Sequence, residues 1–132
     1  MSGVYLGNLT CEVTHGPSGA KIKTTAPVDN GGTGELFSPT DTLAAALGVC
    51  ALTIMGIWAK KHGIDINGAS FHVEKHMTDE LPRRVARLPI TFRIPKSLPA
   101  DKRESLEASA RKCPVRLSLH PDVMVEERFV YE

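Results

Sequence analysis

The chain has 132 residues, the size of one domain (1–132) and enough to bury a real core. Hydrophobic residues make up 42% and charged residues 23%, as in an ordinary soluble globular protein. Lys plus Arg number 16 against 15 Asp plus Glu, a balance that argues against binding nucleic acid or an anionic membrane through bulk charge.

MSGVYLGNLT carries neither a basic n-region nor an apolar h-region, so no signal peptide is read there. An odd count of three cysteines fits a reducing, cytoplasmic compartment better than a disulfide framework.

In chain order, residues 4–13 and 20–25 read as two strands around the turn residues of THGPSG. Tyr5, Leu9, Cys11 and Val13 would then share one face of the first strand. APVDNGGTGELFS, residues 26–38, reads as a flexible loop; GGTG lacks the Lys-Ser/Thr that a phosphate cradle needs. In SPTDTLAAALGVC, Ser38 or Thr40 can cap a helix, with Pro39 and Asp41 suited to its first turn. That helix should run to about Lys61 and stop at His62-Gly63. It is apolar on all sides for four turns, so it should be wrapped by protein, part of the cover coming from a second subunit. Its apolar run, Leu43 to Ala59, sits at the short limit for a membrane span, and charged residues flank it, so a soluble helix is the preferred reading.

Strands follow near 65–77 and 86–94, the second with Leu88, Ile90, Phe92 and Ile94 in strict alternation. Residues 99–112 form an amphipathic helix with Leu106 and Ala110 inward. PVRLSLH reads as a short helix and VMVEERFVY as a closing strand. The order β-β-α-β-β-α-β is not simple βαβ alternation, so the expected class is α+β, with antiparallel sheets around a long buried central helix.

The candidate chemistry is thiol chemistry. Cys50 lies inside the apolar helix, and Cys113 directly precedes Pro114. A residue before proline resists helix, so Cys113 should cap the next short helix with Pro114 at its first position. A thiol there meets the helix dipole, which can depress its pKa. Both cysteines could equally be small hydrophobes of the core, and Cys11 reads that way too. His72, Glu74 and His76 alternate along one strand face and could hold zinc, but a solvated face gives the same pattern. Arg83, Arg84 and Arg87 follow Asp79 and Glu80 and read as a hairpin with local ion pairs.

SPTDTLAAALGVC and RKCPVRLSL together resemble the OsmC/Ohr family, the organic hydroperoxide reductases and their osmotically inducible relatives. The likeness covers nearly the whole chain, including the APVDNGG…FSPTD approach and a thiol 11 residues after the helix-opening proline. The resemblance implies an intertwined homodimer with two active sites at the interface. It implies a peroxidatic Cys50 and a resolving Cys113, which form a disulfide that an external dithiol or lipoyl-type reductant reopens. The implied substrate is an organic hydroperoxide, and no cofactor or metal is expected. A non-enzymatic relative that binds small molecules or serves stress is the alternative.

One departure is visible. The best-studied members pair an arginine of the N-terminal strands with a glutamate near the start of the central helix. This chain has no arginine before Arg83; its N-terminal cations are Lys21 and Lys23. The acids near the helix start are Asp41 and Glu35, which stand as candidates for the catalytic acid. A cation for Cys50 would come instead from Arg83, Arg84, Arg87 or Arg93, within the chain or across the dimer.

Overall fold

The structure, a computed structural model, describes residues 1–132. It consists of two compact units, Met1–Leu43 and Ala44–Glu132.

The first unit is a three-stranded antiparallel meander of β1 (Ser2–Gly7), β2 (Thr10–Thr14) and β3 (Lys21–Thr25), followed by a single 3-10 turn at Val28–Asn30. The strand expected over residues 4–13 is thus two strands. The chain reverses at Asn8-Leu9, where φ is 49° and 58°, between the paired residues Gly7 and Thr10. Two positive φ values give the turn a twist that matches a hairpin. Asn tolerates this conformation, but Leu does not, at a cost of about 1–2 kcal/mol. Two bonds hold Leu9 there: its N–H donates to the Tyr5 hydroxyl (3.2 Å), and its carbonyl accepts from Ala26 N–H (3.0 Å). Tyr5 and Cys11 consequently face each other across strands rather than following one another along one.

The central helix α1 (Pro39–Lys61) begins with a reciprocal cap. Ser38 Oγ accepts from Asp41 N–H at 3.0 Å, and Asp41 Oδ2 accepts from Ser38 N–H at 2.8 Å. With Pro39 at the first helical position, this is a capping box built from S-P-T-D, with Asp in the usual place of Glu. Ser38, and not Thr40, is therefore the cap residue.

In the second unit β6 (Val85–Ile94) is the middle strand of the sheet. β4 (Ser70–Val73) and β5 (His76–Met77) run end to end, antiparallel, along one edge of it, and β7 (Met124–Tyr131) runs parallel along the other. A parallel neighbour needs a crossover. Here α2 (Ala100–Ala110) and α3 (Pro114–Ser118) supply it. The class is α+β, with antiparallel sheets and a central helix, as expected. The element order is richer than β-β-α-β-β-α-β by the extra hairpin strand, the break at Glu74-Lys75 and the short α3.

Strict alternation on β6 does what the sequence implied. Leu88, Ile90, Phe92 and Ile94 are all buried, as are Leu106 and Ala110 of α2. They form one core with Ala44, Leu47, Ala51 and Met55 of α1. Gly48 completes that stripe because the Phe71 ring lies against it. A Cβ there would meet ring atoms at 2.3–2.6 Å.

Within the chain α1 is not wrapped on all sides. Ala44, Leu47, Gly48, Ala51, Met55 and Ala59 form its buried stripe. Val49, Thr53 and Ile57, on the opposite face, are exposed. No polar face in the sequence marks that side, which is why uniform apolarity suggested complete enclosure.

Candidate active site

Two elements of the second unit deliver the two thiols. Cys50 sits in the middle of α1, half-buried and packed against the core. Cys113 is fully buried at the joint between α2 and α3. The joint forms as the sequence predicts. α2 ends at Ala110, Cys113 takes an extended conformation (φ −63°, ψ 138°), and Pro114 opens α3. The Cys113 Sγ accepts from Arg116 N–H at 3.3 Å, so the thiol itself caps the helix. Cys50 lies close enough to Cys113 to influence its titration, and both are free thiols.

The electrostatics of Cys113 differ from the expectation. Burial pushes its pKa up, and the neighbouring Cys50 raises it further. The N–H groups of Arg116 and Val115 pull the other way but are outweighed. The cap lowers a thiol pKa only where the thiolate keeps enough polar surroundings. At this joint the desolvation dominates, and Cys113 holds its proton.

The remaining candidates are placed as follows. Asp41 is the reciprocal partner of Ser38 in the first unit, and its carboxylate fixes the first turn of α1. Glu35 is exposed in the loop before the cap, and its N–H donates to Thr33 Oγ1 at 3.3 Å. Lys21 and Lys23 both point at Glu12, at 2.8 and 3.7 Å, and Lys21 above all holds the Glu12 carboxyl below its usual range. Arg84 donates to the carbonyls of Val85 and Asp122. Arg87 pairs with Glu126 at 3.3 Å and Arg93 with Glu132 at 3.5 Å.

Glu74 stands between His72 (3.9 Å) and His76 (3.1 Å), all three substantially exposed. No group of three or more His, Cys, Asp or Glu side chains is arranged to hold a metal ion. Cys11 is half-buried on β2 opposite Tyr5 and Thr24.

The sequence reading passed over Glu127. On β7 the inward phase is Val125, Glu127, Phe129 and Tyr131, so a carboxylate occupies an apolar register. Its side chain is only 9% exposed and is bonded by Arg111 Nε (3.0 Å) and Arg116 Nε (2.7 Å). The signal was present in VMVEERFVY: one of two adjacent glutamates must fall in phase with the hydrophobic positions of a strand.

The OsmC-like protein family model matches residues 32–128, a span that contains α1, both thiols and Glu127. A search of curated proteins finds no match. Among solved structures, a candidate osmotic stress induced and detoxification response protein from Psychrobacter arcticus is 40% identical with a TM-score of 0.92, over 97% of this chain and 93% of that one. An organic hydroperoxide resistance protein OsmC from Legionella pneumophila shares the fold at 19% identity, with a TM-score of 0.73 over 98% and 95% of the two chains. One from Elizabethkingia anophelis does so at 13% identity, with a TM-score of 0.78 over 98% and 94%. The chain belongs to the OsmC-like protein family.

Proposed function

We propose that this protein is a cytoplasmic, thiol-dependent peroxidase that reduces organic hydroperoxides in stress defence. The observation that carries the reading is the nearness of Cys50 to Cys113. Two free thiols brought together from distant points in the chain, one half-exposed and one buried, suit a two-step cycle.

In the first step the Cys50 sulfur attacks the distal oxygen of ROOH. The S–O bond forms, the O–O bond breaks, and ROH leaves with a proton. In the second, the Cys113 sulfur attacks the sulfenic sulfur; the S–O bond breaks, and the hydroxyl leaves with the thiol proton as water. An external dithiol then reduces the Cys50–Cys113 disulfide by exchange. The raised pKa of Cys113 supports this division of labour, because a thiol that holds its proton is the poorer first nucleophile. The relatives from Legionella pneumophila and Elizabethkingia anophelis, both described as organic hydroperoxide resistance proteins, support the substrate class. The Psychrobacter arcticus relative supports the stress role.

A homodimer is part of the proposal. Val49 and Ile57 are about half-exposed on α1, and a second copy of the chain would cover them.

A second reading, a small-molecule-binding or stress-related relative without peroxidase activity, draws on the cations. Arg84, Arg87 and Arg93 are engaged by carbonyls and carboxylates of their own strand and its neighbours. The test is intact mass and thiol counting after one equivalent of cumene hydroperoxide. The peroxidase loses two thiols to a Cys50–Cys113 disulfide, and a sulfenic acid is trapped on Cys50 in Cys113→Ser. Survival of all three thiols in the wild type favours the second reading. A sulfenic acid on Cys113 in Cys50→Ser, with none on Cys50, reverses the roles.

A further inference from the structure

The joint that carries Cys113 is a weak piece of structure taken alone. α3 has five residues, too few to hold itself as a helix, and Cys113-Pro114 separates it from α2. A small rotation at this joint would move the sulfur away from Cys50. Both sides of it are nevertheless tied to one carboxylate. Arg111, two residues before the thiol, and Arg116, three after it, bond the two oxygens of Glu127 through their Nε atoms.

Arg116 serves twice: its backbone N–H donates to Cys113 Sγ, and its side chain donates to Glu127. The carboxylate rides on β7, paired along its full length with β6 in the core. A second brace secures the α2 side, since Arg111 also bonds Glu107, which accepts from the Tyr131 hydroxyl at 2.9 Å.

Glu127 is a costly residue for this register. An apolar side chain of similar size beside Val125 and Phe129 would avoid desolvating a charge, and such replacements are often neutral or stabilising. Stability therefore gives a weak account of Glu127, whereas geometry gives a direct one.

We propose that Glu127 is a positioning residue for Cys113: by clamping Arg111 and Arg116 on either side of the thiol, it sets how effectively Cys113 closes a disulfide with Cys50. The proposal rests on the reading of these two thiols as a working pair, and its test needs no peroxide. Reduced protein is equilibrated with glutathione, P(SH)2 + GSSG giving P(S–S) + 2 GSH, and the equilibrium constant is read from quenched thiols.

A misplacement of about an ångström lowers intramolecular reactivity by up to about a hundredfold. Glu127→Gln should lower the equilibrium constant, and the rate of the second step after peroxide, by about tenfold or more. Glu126→Gln, next along β7 but outward and paired with Arg87, should leave both unchanged. A structural role alone would lower the melting temperature of Glu127→Gln without moving the equilibrium constant of the folded protein. Should Glu127→Gln fail to fold, Arg116→Met decides, with the same fall expected.

Folded Glu127→Gln or Arg116→Met with a wild-type constant overturns the proposal, as does an equal fall in Glu126→Gln. A wild-type protein that closes the disulfide with glutathione but not with cumene hydroperoxide refutes the peroxidase and leaves the clamp standing. One that closes it with neither oxidant refutes both.

Discussion

Gly48→Ala sets two physical effects against each other. In an exposed helix the change would stabilise by about 1 kcal/mol, because Ala is the better helix former. Here the new methyl would lie 2.3–2.6 Å from three atoms of the Phe71 ring. Ordinary contact is more than an ångström longer, and the helix backbone cannot yield, so the ring must leave its seat. A Phe buries about 150–250 Å2, and re-exposing half of that at about 25 cal/mol per Å2 costs about 2–3 kcal/mol. The net loss is about 1–2 kcal/mol. With an unfolding entropy of about 2.1 cal/mol/K per residue, the 132-residue chain should melt about 4–7 °C lower. The assay is urea and thermal unfolding of Gly48→Ala, Phe71→Ala and the double variant. In the cycle, Phe71→Ala should cost at least about 1 kcal/mol less in the Gly48→Ala background than in the wild type. A Gly48→Ala protein that melts higher than wild type, or a coupling energy within error of zero, would refute the packing argument.

Cys113 should resist alkylation by iodoacetamide until the pH is well above the ordinary thiol range, and Cys50→Ala should shift its profile downward by removing the thiol and charge beside it. The same raised pKa couples to stability. The folded state binds this proton more tightly than the unfolded chain, so its contribution is fully present below the unfolded thiol pKa of about 8.5 and is lost as pH rises through the folded value. Reduced wild type should thus lose stability in urea titrations above about pH 8.5, and Cys113→Ala should flatten that loss. Tyr131, raised by burial and by its bond to Glu107, adds a loss of the same sign above about pH 10 that survives in Cys113→Ala. Leu106→Ala, at a fully buried site, should destabilise by about 2–5 kcal/mol in urea unfolding. Val49→Glu with Ile57→Glu should turn the proposed dimer into a monomer by light scattering, and an unchanged dimer would place the interface elsewhere.

Most elements were legible where periodicity and caps agree. β6 alternates strictly, α2 shows its inward pair, and Cys113-Pro114 encodes a helix boundary by proline chemistry alone. The missed hairpin had half a signal. Gly7-Asn8 is turn chemistry, but Leu9 in a left-handed conformation is held by Tyr5 and Ala26, partners that no local pattern names. The parallel pairing of β7 was hidden because antiparallel return is the default for a closing strand. The family motif singled out the two thiols in the sequence, whereas their nearness depends on the crossover that places Cys113 close to Cys50. The cap argument for Cys113 failed in sign because a sequence shows the helix terminus and not the desolvation around it.

These pieces bear on why a thiol sits in the most apolar helix. α1 offers one face to the core and keeps Cys50 half-buried at the edge of that face. Apolar surroundings oppose a thiolate, so the helix alone is a poor place for a nucleophile. Its partner keeps its own proton. Cys113 lies near Cys50, and every large influence on it except the helix-cap N–H groups favours the protonated form. In the proposed cycle it can therefore surrender that proton to the departing hydroxyl in the second step. The demand on the fold is then geometric. One sulfur must be held close to another by a joint that cannot hold itself, and on β7 a carboxylate stands in a hydrophobic register where it reaches both sides of that joint.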